Sequence, residues 1–188
     1  MVQIVDAALA DSARRSGAWL ACRIGCTQCC IGVFAISQLD AARLRDGLAE
    51  LERQDPARAK RVRQRARDAV RRLGTDFPGD ASTGILTAGS EDFDEFANDE
   101  PCPVLDPETG RCELYEARPM TCRVFGPPVR SEGGLGVCEL CFQGASDEEI
   151  AACELHVDTD DLEAKLVAQV EGGKHGDTIV AFVLGLQG

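Results

Sequence analysis

Ten cysteines and two histidines are the side chains in this 188-residue sequence best suited to chemistry. Four of the thiols fall within nine residues, as Cys22-x3-Cys26-x2-Cys29-Cys30. Two-residue gaps let consecutive sulfurs converge on one metal ion or cluster, and Gly25 and Gly32 let the backbone bend around it. Inert buried cysteines have no reason to gather so densely. Adjacent Cys29 and Cys30 are expected to point apart, and so to serve different metals or different corners of one polynuclear site.

The other six cysteines are Cys102, Cys112, Cys122, Cys138, Cys141 and Cys153, each near a turn or the end of a short element. Cys138-x2-Cys141 and Cys153-x2-His156 have the look of a separate zinc site with three thiolates and one imidazole. The alternative leaves one of Cys138 and Cys141 to the main cluster, with Cys153 and His156 on a polar helix turn. His175, flanked by glycine-rich sequence, reads as an exposed loop residue. Arg118 and Arg123 read either as donors that offset anionic thiolates or as partners of acids such as Glu116. Cys22-x3-Cys26-x2-Cys29 also has the spacing found in radical S-adenosylmethionine enzymes. Those mount it on a partial β/α barrel, for which this chain has no long enough alternation of strand and helix, and Gln28 stands where an aromatic is usual.

The elements that must position these thiols are short. Val5, Ala8, Leu9 and Ser12 recur at helical spacing and predict a helix over residues 2–15 that leads through Trp19 into the first cysteines. Ser37 reads as an N-cap, followed by the stripe Ala41, Leu44, Leu48, Leu51 to about Gln54. Asp55-Pro56 caps and starts the next helix, whose stripe is Val62, Ala66, Ala69, Leu73 and whose stop is Gly74. The two should form an antiparallel pair. Residues 75–90 read as loop, and residues 104–115 as a hairpin turned by Asp106-Pro107 and Gly110. Pro119 starts a short helical turn that carries Cys122, and a second hairpin is expected around Glu132-Gly133-Gly134. Leu162, Leu166 and Val170 give a helix closed by Gly172-Gly173, and residues 177–184 fit a helix or a buried strand, with the helix favoured because Asp177 could cap it.

Composition bounds what these elements can do. With 20 basic and 32 acidic residues the net charge is −12, which opposes general binding to phosphate backbones. Residues 58–72 nevertheless carry eight bases and one acid, while residues 91–108 carry eight acids and no base. A nucleic-acid or partner face is one reading of that helix. A solvated face partly neutralised by the acidic stretch is the favoured one. No apolar run approaches the roughly 20 residues of a membrane span, and the opening residues lack a secretion signal's pattern. The expectation is therefore a cytoplasmic protein, away from membranes, built as one domain over residues 1–188, with a protein partner left open. In a reducing compartment ten thiols point to metal ligation more than to disulfides. With only nine aromatics, the fold is expected to be a small α+β domain, mainly helices with short β-hairpins around a cysteine-ligated metal cluster, stabilised by that metal.

One resemblance is specific. Cys102-Pro103-x-Leu105, then Gly110-x-Cys112-x-x-Tyr115-Glu116-x-Arg118-Pro119-x-x-Cys122-Arg123-x-Phe125, following the Cys-Cys group, resembles the CxxCxxCC family of zinc- or iron-chelating domains, also called YkgJ-like cysteine-cluster proteins. The resemblance implies metal ligation by Cys22, Cys26, Cys29, Cys30, Cys102, Cys112 and Cys122, with Cys138 or Cys141 as the eighth ligand. Spacing from Cys122 favours Cys138. The first gap, of three residues, departs from the simplest pattern, as do Cys153 and the Cys138/Cys141 pair. A flagellin lysine methylase carries a related cysteine pattern, which keeps a cluster-dependent methyl-transfer enzyme among the readings.

The near-exclusive use of thiols suits an iron–sulfur cluster, of [4Fe–4S] type, or structural zinc held by four thiolates. Charge does not choose between them. Seven or eight thiols drawn from distant segments favour the polynuclear cluster and a redox role. No nucleophile–base pair or phosphate loop stands out, so no catalytic residue is assigned.

Overall fold

The computed structural model describes residues 1–131, 134–156, 162–170 and 176–186. In chain order its elements are α1 (Val2–Ser16), α2 (Gln38–Gln54), α3 (Pro56–Leu73), β1 (Gly79–Asp80), β2 (Ile85–Leu86), α4 (Met120–Val124), β3 (Val129–Ser131), β4 (Gly134–Gly136), α5 (Asp147–Ala152), α6 (Leu162–Val170) and α7 (Val180–Gly185). About half the chain is helical, counting short 3-10 turns, and the strands pair as two antiparallel hairpins, β1 with β2 and β3 with β4. The architecture is the expected α+β mixture. No helix among the described residues is long and apolar enough to cross a membrane. His175 and the Gly172-Gly173 stop lie outside the described residues.

The chain forms two compact units, Met1–Cys26 with Met120–Lys165, and Thr27–Pro119 with Leu166–Gly188. In the first, α1 buries Val5, Ser12 and Ser16. The two serines are buried because they are used: Ser16 Oγ donates to the Ser12 carbonyl (2.8 Å), and Ser12 Oγ to the Cys153 carbonyl (2.6 Å). Arg15 donates to the carbonyls of Ala152 and Glu154. The carbonyl of Ala152 at the end of α5, and those of Cys153 and Glu154 just beyond it, are thus satisfied by α1. At its other end α5 begins with a capping box, in which Ser146 and Glu149 each bond the other's backbone N–H. The apolar centre of this unit holds Cys138, Cys141, Phe142 and Cys153, flanked by Trp19, Leu20 and Phe125. Trp19 and Phe142 stack with centroids 6.3 Å apart.

The second unit is built on α2 and α3. Both caps act as the sequence predicts: Ser37 Oγ accepts from the Asp40 N–H (3.3 Å), and Asp55 Oδ1 from the Arg58 N–H (3.0 Å). Ala41, Leu44, Leu48 and Leu51 pack with Ala59, Val62 and Ala66, and Val183 and Leu184 of α7 complete the core. Gly185 lets α7 lie this close, since a Cβ there would stand 2.8 Å from the Ala66 carbonyl oxygen. Phe77 stacks on Phe182 at 4.2 Å, extending the core toward the β1–β2 hairpin.

Two local expectations are corrected. Residues 75–90 are not all loop, because β1 and β2 pair there, with Asp80 opposite Ile85. Asp177 does not cap α7. Thr178 instead exchanges both backbone hydrogen bonds with Ile36 (2.8 and 3.0 Å), which makes Ile179 the N-cap residue and starts the helix at Val180. A long-range bridge has overridden a local capping preference.

Candidate metal centres

Six of the ten thiols lie in the first unit and four in the second, and in each unit some of them act on one another. In the first, Cys22 and Cys26 come from the loop after α1, and Cys138 and Cys141 from the turn after β4. The Cys22 and Cys141 thiols are hydrogen-bonded to each other, and Cys26 and Cys138 lie within electrostatic reach of Cys22. Cys138 likewise contacts Cys141 and feels Cys26. The Cys138-x2-Cys141 turn closes with the Cys141 N–H on the Cys138 carbonyl (2.8 Å). Two backbone donors point at sulfur: the Leu140 N–H at Cys138, and the Ala21 N–H at Cys141 Sγ (3.4 Å). Such N–H···S bonds favour the thiolate over the thiol, as metal ligation requires.

Burial pushes the Cys22 thiol up to about 12, and the sulfurs of Cys141, Cys26 and Cys138 add to it. The residue as a whole is exposed, yet partial burial is the first cause of the shift at its thiol. Gly126 lies against it, at φ 119°, so close that a Cβ on Gly126 would stand 2.6 Å from Cys22 Sγ. The Gly126 carbonyl also accepts the Cys138 N–H (3.4 Å), so one glycine touches both halves of the group. Burial raises Cys138 as well, followed by its neighbouring sulfurs. Gly126→Ala is expected to displace Cys22 and to weaken metal retention by this group about tenfold or more, the scale on which disturbing a ligand's support acts. Competition with a chromophoric chelator measures it. Unchanged retention would show that the close approach has no bearing on the metal.

In the second unit, Cys29 and Cys30 sit on the 3-10 turn Gln28–Cys30, and Cys102 and Cys112 flank the loop at residues 102–112. Cys29 and Cys30 do not point apart: their thiols are hydrogen-bonded. A 3-10 turn rotates successive side chains by about 120°, where a strand would send them to opposite faces. The Cys102 N–H donates to the Cys30 carbonyl (2.8 Å), and Cys102 and Cys112 both pack along the unit's core. An antiparallel bridge between Leu105 and Cys112 realises the expected hairpin, with Gly110 at φ 66° in its turn. The contact with Cys30 raises the Cys29 thiol well above its ordinary range, and burial adds to this. Burial also raises Cys112, opposed by the Leu114 N–H aimed at its sulfur and by the Arg118 guanidinium. Arg118 lies 3.9 Å over the Tyr115 ring, donates to the Tyr115 carbonyl (2.9 Å), and acts on Cys29 too.

Raised thiol pKa values fix a sign. Cys22 keeps its proton to about 12 in the folded protein, against an ordinary 9.0, so between those values the folded state binds more protons than the unfolded one. Stability of chelator-treated protein is therefore expected to fall as pH rises from about 9, and to be indifferent to this thiol below that. Urea midpoints on either side of that pH check it, and a midpoint that rose with pH would contradict it. Metal must displace these protons, so metal is retained more firmly as pH rises and lost on acidification.

The remaining candidates are placed as follows. Cys153 is buried in the apolar cluster with Cys138 and Cys141, whereas His156 is 71% exposed with Nδ1 4.0 Å from Glu154 Oε1. Cys122 lies on α4, and beside it the buried Arg123 pairs with Asp6 of α1 (2.7 Å). Sequence reasoning missed Gly126, for which the run Gly126-Pro127-Pro128 was the available signal, and it missed Glu113. That carboxylate, 4% exposed, is held by Arg58 (3.0 Å) and Arg65 of α3, and Arg65 Nε also donates to the Pro103 carbonyl (2.8 Å). The basic helix thus pins the loop that carries Cys112. Its other pairs include Arg63 with Glu52 and Arg72 with Glu100.

Among the described residues, no three His, Cys, Asp or Glu side chains stand closed around the position of a metal ion. The thiols meet as contacting pairs, Cys22 with Cys141, Cys138 with Cys141, and Cys29 with Cys30. Their chemistry still fits a metal, because each group is all thiol, partly desolvated, and supplied with N–H donors aimed at sulfur.

The family described as "Putative zinc- or iron-chelating domain", CxxCxxCC, matches residues 21–141. The chain belongs to this family. That span of the CxxCxxCC domain opens one residue before Cys22 and closes on Cys141, so it takes in every cysteine but Cys153. No curated protein and no solved structure gives a significant match. The chain is accordingly a metal-binding cysteine-cluster protein of zinc- or iron-chelating type.

Proposed function

We propose that the two groups of four thiols hold iron–sulfur clusters, of [4Fe–4S] type, and that the protein carries electrons in the cytosol to or from a protein partner. The reading rests on one observation: the donors that meet are thiols, Cys22, Cys26, Cys138 and Cys141 in one unit and Cys29, Cys30 and Cys112 in the other, where the Cys102 backbone bonds that of Cys30. Thiolate sets of this kind are what iron–sulfur clusters take.

A bound cluster supplies one-electron transfer. The chain supplies its ligands and its surroundings. Leu140, Ala21 and Leu114 direct N–H groups at sulfur, and Arg118 places a cation by the second group, both of which stabilise added negative charge. Half-buried Cys26, Cys29 and Cys30 keep both groups near solvent, where a partner can approach.

Anaerobic isolation followed by iron, zinc and acid-labile sulfide analysis with Mössbauer spectroscopy tests the proposal. Brown protein that contains sulfide and bleaches with dithionite is expected. Colourless protein with stoichiometric zinc and no sulfide, even after anaerobic expression with added iron, would overturn the redox role. The knuckle-like Cys138-x2-Cys141 turn, with its N–H donors on sulfur, favours zinc as the second reading, in which the protein is a structural or interaction module.

A further inference from the structure

In the second unit a cleft of about 280 Å³ opens between α2, the β1–β2 hairpin and α7, formed by residues that neither thiol group uses. Its apolar wall is Ile85, Phe182 and Leu186. That wall is set rigidly, because Phe182 is stacked on Phe77 and a Cβ at Gly84, in the hairpin turn, would stand 2.7 Å from the Phe182 Cβ. The volume equals that of about nine waters at roughly 30 Å³ each, which lies at the small end for ligand sites.

The polar side of the cleft is unevenly supplied. Arg45 of α2 reaches it half-buried and, among the described residues, without a carboxylate partner, although Arg43 two residues earlier bonds Asp40 and the carbonyls of Glu116 and Arg118. Ser82 and Thr83 line the same cleft, and their hydroxyls donate to Asp80 (2.6 and 2.9 Å), so their oxygens remain as acceptors. Gln38 spends its amide N–H on the Gly176 carbonyl (2.8 Å) and likewise keeps an acceptor oxygen. The cleft therefore offers one cation, several acceptors backed by the Asp80 carboxylate, and an apolar wall. Its complement is a small molecule with a carboxylate for Arg45, a cationic donor for the acceptors, and a hydrocarbon body for Phe182.

We propose that this cleft binds a small hydrophobic α-amino acid as its zwitterion, with the carboxylate on Arg45 and the ammonium on Ser82, Thr83 and Gln38. A leucine- or phenylalanine-sized ligand matches the space. The proposal is independent of which metal the thiols hold.

Calorimetric titration of the intact, metal-loaded protein with L-leucine and L-phenylalanine tests it. Controls are 4-methylpentanoate, which lacks the ammonium, 3-methylbutylamine, which lacks the carboxylate, and glycine, which lacks the side chain. Saturable binding of leucine or phenylalanine is expected, with each control at least about tenfold weaker, the scale of one lost charge-assisted hydrogen bond or, for glycine, of an apolar side chain left unburied. Arg45→Gln, with an unchanged circular dichroism spectrum, should weaken amino-acid binding by a similar factor. Thr83→Val, which leaves α2 untouched, should narrow the preference for leucine over 4-methylpentanoate. Lack of saturable binding of either amino acid up to about 10 mM, a Kd worth only about 3 kcal/mol, would overturn the proposal. So would 4-methylpentanoate binding as tightly as leucine, or an Arg45→Gln variant that binds leucine unchanged.

Discussion

Serine at all four of Cys22, Cys26, Cys138 and Cys141 is expected to halve the metal bound per chain, and serine at Cys29, Cys30, Cys102 and Cys112 to remove the other half. Each set lies within one compact unit, where Cys22, Cys26, Cys138 and Cys141 act on one another, and so do Cys29, Cys30 and Cys112, with Cys102 joined to Cys30 through the backbone, so each should load by itself. Because ligand binding becomes folding energy where no site preexists, on the order of 10 kcal/mol for thiolate-held zinc, each variant should also lose protection in its own unit. Metal content by plasma mass spectrometry, with hydrogen exchange on the same samples, measures both effects. If either fourfold variant lost all of the metal or none of it, the division into two centres would be wrong.

Alanine at both Arg58 and Arg65 is expected to destabilise the protein by about 3–5 kcal/mol, the usual cost of leaving a buried charge without its partner. The orphan would be Glu113, next to Cys112, with a side chain only 4% exposed. Urea unfolding gives the magnitude, and metal content of the folded fraction shows whether the second thiol group has loosened. A loss below about 1 kcal/mol would place this network with ordinary surface ion pairs. Restoring stability by adding Glu113→Leu, which removes the stranded charge, is the companion result.

Where structure follows local rules, the sequence was legible. The α2 and α3 stripes, their caps at Ser37 and Asp55, the helical turn that carries Cys122, and the β3–β4 hairpin each depend on residues within a few positions of one another. The cysteines were legible as ligands because thiols this dense have little other use. Their division into two groups was not. Cys26-x2-Cys29 suggests one shared centre, yet Cys26 acts with Cys22 and with Cys138, which returns from more than a hundred residues away, and Cys29 acts with Cys30 and Cys112. The Thr178–Ile36 bridge that displaces Asp177 as a cap, and the Glu113 ion pairs, fail to show in the sequence for the same reason. Each is decided by which distant segment comes back to which surface. Gly126 is a related case: its positive φ suits a glycine, but that its missing side chain makes room for a sulfur is a fact of packing.

The position of α7 in the core of the second unit has a consequence for synthesis. Roughly a hundred residues separate the end of α3 from the start of α7, so at about 5–20 residues per second the α2–α3 pair waits roughly 5–20 s for Val183 and Leu184 to arrive. Through that interval Leu44, Leu48 and Val62 lack part of their cover on the nascent chain, and the other unit is also unfinished, because its second half starts at Met120. Both units must therefore mature late, and a ribosome stalled between α3 and α7 would hold out a long apolar stripe for a chaperone to bind.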